Sequence, residues 1–357
     1  MNHRLLASLA FLLSSAVSGL GGTPQQDSLH VLSPITHGKL TIFPIVGGTD
    51  YDTSKFLTLD EGIQNGSVVV TEQGSLRGLV RGQQTTRGSG AEVNRLVLVN
   101  NSDRPLLLLA GEIVTGGKQD RVIGADRLVP PKSDPIDLSV FCVEPGRWVA
   151  SSEHFGSMKL QMAQPSVRQP AMADRNQQEV WNQVANARKS MSSAGGARST
   201  TSYATVMAAP PVQQKIDSVA GEYNSFVSEL RKTGAKGVVV AVNGNIVWAD
   251  VFASNDLLMR YWQKLVRSYA AESLTNEGVK GEVDQKAAEA FLDRLSGNRE
   301  IVETEPGVFR RAEISGDSYK VFTLTALLPK TDFTVHTAKM SYDKEARVEY
   351  PRWQIMR

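Results

Sequence analysis

Between residues 37 and 149 the chain alternates short apolar runs with turn residues: 40–46, 68–72, 95–100, 106–109 and 136–143. Runs of this length, broken by Val46-Gly47-Gly48, Gln64-Asn65-Gly66 and Asn100-Asn101-Ser102-Asp103, predict strands, because Gly and Asn accept the positive φ of tight turns. Antiparallel pairing is the simplest way to join them. Residues 82–90, with Arg87 and two threonines, read as a loop.

Beyond Trp148 the period changes. Val180, Trp181, Val184 and Ala187 repeat at helical spacing and predict a helix over 173–189. Residues 190–211, rich in Ser, Ala, Gly and Thr, read as an extended, flexible connection. A second helix is expected over 212–232, with Ile216, Val219, Tyr223, Phe226, Val227 and Leu230 on one side and Gly234 as its stop. Residues 238–242 and 245–249 are β-branched runs joined by Asn243-Gly244, the turn that matches strand twist, and predict a β-hairpin. Ser254-Asn255-Asp256 can cap a helix containing Leu257, Leu258, Tyr261, Trp262, Leu265, Val266 and Tyr269. Its other stripe, Arg260, Lys264 and Arg267, reads as a solvated face. A helix over 284–295 and strands over 308–314, 319–328 and 333–340 follow. The expected class is α+β: a β-rich antiparallel N-terminal half (35–149), then mixed helices and a hairpin (173–274), then a C-terminal α/β extension (275–357) packed on them.

Composition narrows the function. The 357 residues are 41% hydrophobic and 21% charged, as in a globular protein. The net charge of +2 arises from 39 basic and 37 acidic residues dispersed along the chain, which argues against nucleic-acid binding. Met1-Asn2-His3-Arg4 before an apolar run over 5–17 reads as a signal peptide over 1–22, with small-x-small cleavage after Ser18 or Gly21. The expectation is a periplasmic or secreted protein with no stable membrane insertion after cleavage. The single Cys142 excludes an internal disulfide and reads as a buried small apolar residue. A Cys142-dependent transferase or hydrolase is the least favoured chemistry. His3, His30, His37, His154 and His336 show no metal-ligand spacing, and no cofactor is expected.

Candidate chemistry gathers at two strand ends. The first cluster is Gly111-Glu112 with Gly116-Gly117-Lys118-Gln119-Asp120-Arg121, and the second is Cys142-Val143-Glu144 with Gly146-Arg147-Trp148. Glu112 and Glu144 are candidate proton-transfer groups or hydroxyl ligands, and alternatively the partners of Arg121, Lys118 or Arg147. Should the two carboxylates share a cleft, their repulsion raises one pKa and divides acid from base roles. Flexible backbone at Gly116, Gly117 and Gln119, with Lys118, Arg121 and Arg147, fits a phosphate, although P-loop spacing is absent. The alternative is a Gly-Gly turn with an Arg–Asp pair. Trp148 suits stacking on a base or sugar, and as a large indole is also expected as a core anchor.

These clusters, with Leu128-Val129-Pro130-Pro131 and a second block over 237–274, resemble the bacterial ARG and Rhodanese-Phosphatase-superfamily-associated protein domain family, over residues of about 35–274. Its pattern more often carries Asn at the place of Asp120. The family's name implies a link to ADP-ribosylglycohydrolases and phosphatases, hence to ADP-ribose or other NAD-derived compounds. The resemblance thus points to a phosphorylated nucleotide-sugar-like ligand, bound or hydrolysed. The alternative is a non-catalytic module of the cell envelope.

Overall fold

The structure, a computed structural model, describes residues 28–73, 95–193, 200–294, 296–329 and 331–343. The expected signal peptide and the expected loop at 82–90 lie outside the described residues. No helix among the described residues is long and apolar enough to cross a membrane.

The described strands form three sheets in an α+β arrangement. The largest has the order Leu29–Val31, Leu40–Gly47, Gly237–Val242, Asn245–Phe252, Phe333–Ser341, Tyr319–Ala326, Phe309–Ser315, Asn298–Glu305, with Ile35–His37 also on Leu40–Gly47. Its hairpin turns at Asn243 and Gly244, both at positive φ (53° and 78°), as a two-residue turn matched to strand twist requires. Gly237–Val242 is buried at every position between two neighbours, which explains its unbroken apolar sequence. Trp248 opposite Met340 and Phe252 opposite His336 tie the C-terminal strands into this same sheet.

A second sheet runs Gly156–Met162, Glu112–Thr115, Arg121–Ile123, Ile136–Cys142, Arg95–Asn100, Val68–Thr71, and a third runs Arg127–Val129, Leu106–Leu108, Leu57–Thr58. Pairing is antiparallel except between Leu57–Thr58 and Leu106–Leu108.

Between these layers lies the helix Asn255–Thr275, capped by the Ser254 hydroxyl, which accepts from the Leu257 N–H at 3.0 Å. It is buried nearly all round, and this overturns the solvated reading of its basic stripe. Lys264 and Arg267 are buried, and Arg260 pairs with Glu61 at 2.7 Å: the N-terminal region meets Arg260 and Lys264 through Asp60, Glu61 and Glu112, and Gln213 and Asp217 meet Arg267.

Two further expectations change. The helix over 212–232 is two, Pro210–Gly221 and Asn224–Lys232, and the buried Tyr223 between them donates from its hydroxyl to the Leu40 carbonyl at 2.7 Å. The expected connection at 190–211 holds the helix Tyr203–Ala208, capped by Ser202, because Tyr203, Val206 and Met207 are buried in the main core. Tertiary burial outweighs the loop-like composition there. The helix Leu59–Gln64 was not expected; its local signal is the Thr58-x-x-Glu61 capping box.

Candidate functional site

The two polar clusters meet because Arg121–Ile123 pairs with both flanking strands, setting Arg121 opposite Val114 on one side and Cys142 on the other. The turn between requires its glycines. A Cβ at Gly116 (φ 130°) would lie 2.4 Å from the Ser152 hydroxyl, and one at Gly117 (φ 49°) 2.3 Å from the Phe155 ring.

Asp120 closes the turn. Its Oδ1 accepts the Gly116 N–H at 3.1 Å, and its Oδ2 the Ser202 hydroxyl at 2.9 Å. Glu144 Oε2 accepts the Asp120 N–H at 3.0 Å and pairs with Arg147 at 2.6 Å, while the Gln119 amide donates to the Glu144 carbonyl at 3.1 Å. Arg147 also lies 3.4 Å from Asp120 and donates to the carbonyls of Gly117 (2.7 Å) and Val149 (3.0 Å). Asp120, Glu144 and Arg147 line an open cleft of about 640 Å³ with the hydroxyl residues Thr115, Ser151 and Thr205. Burial, and then the neighbouring Glu144, raise the Asp120 carboxyl above its usual pKa.

The other predicted residues divide. Lys118 donates its backbone N–H to Glu72 at 3.0 Å, and its ammonium stands 5.2 Å from the Trp148 ring centroid. Trp148 is 45% exposed, so it is no core anchor: Arg147 turns inward and its neighbour is left outside. Arg121 is fully buried and makes one hydrogen bond, from Nη1 to the Asp120 carbonyl at 3.4 Å, with Nε and Nη2 unpartnered among the described residues. From there it cannot touch a ligand in the cleft. Glu112 is equally buried and lies away from the cleft lining. Its partners are neither Arg121 nor Lys118: Oε1 is 2.5 Å from Lys264, and Oε2 accepts the Leu109 N–H at 2.9 Å. Glu144 therefore shares the cleft with Asp120, not with Glu112.

Cys142 is buried, and burial pushes its thiol pKa up. Iodoacetamide should leave the folded protein unlabelled and modify Cys142 only after unfolding, as read by intact mass. Rapid labelling of folded protein would reopen a thiol mechanism.

A fully buried polar cluster around Asp250 was not anticipated from the sequence. Asp250 receives both terminal nitrogens of Arg168 at 3.1 Å and the Trp248 indole N–H at 2.9 Å, and the Tyr269 hydroxyl donates to it. His336 Nδ1 is 2.6 Å from Asp126, and its Nε2 is 3.2 Å from Asp250, an ionic contact without an aligned hydrogen bond. Arg168 stacks on Trp248 at 4.3 Å and fills the space that a side chain at Gly111 would need. An Asp and a His inside apolar strands were the only local signal; their partners stand 82 and 210 residues away in sequence.

The two carboxylates outweigh burial and raise the His336 pKa from 6.5 to about 9. The charged imidazole thus stabilises the fold fully below its unfolded pKa, and that stability is lost as pH rises through about 9. The interval corresponds to about 3 kcal/mol. Unfolding midpoints of the wild type and His336→Gln should converge between pH 6.5 and 9.5; parallel curves would show an imidazole already neutral at pH 6.5.

Among the described residues no group of three or more His, Cys, Asp and Glu is arranged to hold a metal ion. Neither a curated protein nor a solved structure matches the chain. The family model of the ARG and Rhodanese-Phosphatase-superfamily-associated Protein domain matches residues 28–340, nearly all of the chain and more than the resemblance at 35–274, and the chain belongs to that family.

Proposed function

We propose that the chain is an exported protein that binds a hydroxyl-rich, nucleotide-sugar-like molecule such as ADP-ribose in the cleft at Asp120 and Glu144. The observation that carries this reading is the pair of carboxylates beside Arg147 in an open cleft of about 640 Å³ otherwise rich in hydroxyls. Paired acceptors suit the vicinal hydroxyls of a sugar, and the volume suits a small ligand. The half-exposed Trp148 carries Lys118 over its ring, and neither belongs to the cleft lining. For hydrolysis the candidate proton-transfer groups are Asp120, its pKa raised by burial and then by Glu144, and Glu144 itself. The basic start and apolar run of residues 1–22 support export.

Thermal unfolding with ADP-ribose tests the reading. A ligand at about a hundred times its dissociation constant adds roughly 2.7 kcal/mol, a shift of several degrees. Ala208 is exposed and lines the cleft without joining its polar network, so Ala208→Trp should abolish the shift and leave the ligand-free midpoint near that of the wild type. No shift in the wild type favours the second reading, a non-catalytic envelope module. Supporting that alternative, Arg147 and Lys264 spend their charge on internal carboxylates, while Trp148 and Val149 are exposed side by side.

A further inference from the structure

The cleft continues past Met158 and Ala208. Both residues also line a second opening of about 500 Å³, whose remaining walls include Lys159, Leu160, Gln161, Gln213, Asp217 and Arg267. Arg267 projects from the buried helix Asn255–Thr275; it pairs with Asp217 and donates to Gln213 Oε1, while its Nε has no partner among the described residues. Gln213 in turn donates from Nε2 to Gln161 Oε1 at 2.9 Å and to the Met207 carbonyl. That commitment fixes the Gln161 amide, which is only 3% exposed, with its NH2 facing no acceptor among the described residues. Two buried donors thus stand without partners among the described residues at one wall, an arrangement that costs stability unless an acceptor arrives.

Two more features point the same way. The Asp217 side chain is 55% exposed yet sits on a buried guanidinium, the place an external oxyanion would take. Leu160 is held at φ 48° with 59% of its surface exposed, in the irregular stretch of Gly156–Met162 between Ser157 and Met162. A leucine in the left-handed region, with little packing to hold it there, is strain beside a groove. The exposed Lys159 precedes it at the same wall.

We propose that this second opening is an anion subsite continuous with the cleft, taking the phosphate of a sugar phosphate whose hydroxyl-bearing end lies against Asp120 and Glu144. The phosphate displaces Asp217, uncovers the donors of Arg267 and Gln161, and meets Lys159 at the rim. The proposal rests on the sugar-binding reading above and moves the anion away from Lys118, Arg121 and Arg147.

Calorimetric titration with ribose, ribose 5-phosphate and inorganic phosphate separates the two ideas. The wild type should bind ribose 5-phosphate about tenfold more tightly than ribose. Asp217→Asn removes the internal competitor and should tighten ribose 5-phosphate and inorganic phosphate while leaving ribose unchanged; Lys159→Glu should erase the preference for the phosphate. Equal affinities for the sugar and its phosphate, or an Asp217→Asn variant that binds anions as the wild type does, overturn the subsite. Inorganic phosphate binding that tightens in Asp217→Asn, without any ribose binding, keeps the subsite and removes the sugar reading. Absence of binding by all three probes removes both.

Discussion

Asp250→Asn is expected to destabilise the protein by about 3–5 kcal/mol, a large part of a stability of about 5–15 kcal/mol. The substitution keeps the shape and removes the charge. Arg168, fully buried and held by both terminal nitrogens, is then left with no carboxylate within ion-pair distance among the described residues, and His336 keeps Asp126. Burial by itself opposes ionisation of Asp250, yet Arg168 and then His336 hold its pKa well below the usual carboxylate range. Urea unfolding at pH 7 reads the loss directly. A cost under about 1 kcal/mol would mean that the Arg168 charge is neutralised in some other way. The double variant Arg168→Met/Asp250→Leu should recover much of the loss, because a buried pair replaced whole by apolar groups leaves no orphaned charge.

Lys264→Met should cost a similar amount, about 3–5 kcal/mol, at pH 8. Lys264 reaches both Glu112 (2.5 Å) and Asp60 (3.0 Å), joining the central helix to the N-terminal β region. Without it Glu112 is a fully buried carboxylate whose chief remaining support is the Leu109 N–H. Burial already raises its pKa above 4.5, and loss of the ammonium raises it further. A carboxyl with a raised folded pKa contributes stability that is complete below its unfolded pKa and lost as pH rises, so the variant should be less impaired at pH 5 than at pH 8. Glu112→Gln should cost less than Lys264→Met, since Lys264 retains Asp60. The reverse ranking in urea unfolding would show that the ammonium, not the carboxylate, is the group burial penalises. The double-mutant cycle isolates the coupling.

Both expectations concern residues that reading along the chain assigned differently or passed over. Lys264 lies on a polar stripe beside an apolar one, a pattern that ordinarily means solvent; here a second layer covers it. Glu112 was prominent because it follows an apolar run and a glycine, and that position proved to be a buried junction. Arg168, Asp250 and His336 had no nearby partner to draw attention. That the two clusters lie near one another could be anticipated, because both end apolar runs and adjacent antiparallel strands bring such ends together, but not that Asp120, rather than Glu112, shares the cleft with Glu144.

The α+β class, the Asn243-Gly244 hairpin, the capped helix after Ser254, the burial of Cys142 and the family could all be read along the chain. These follow from local rules: side-chain period, turn conformation, hydroxyl capping and one apolar strand. Packing between layers, by contrast, set Glu112 against Lys264, turned Trp148 outward, formed the helix at Tyr203–Ala208 and brought His336 and Arg168 together on Asp250. Ion pairing and burial depend on which layers cover one another, and contacts across up to 210 residues leave no periodic mark along the chain.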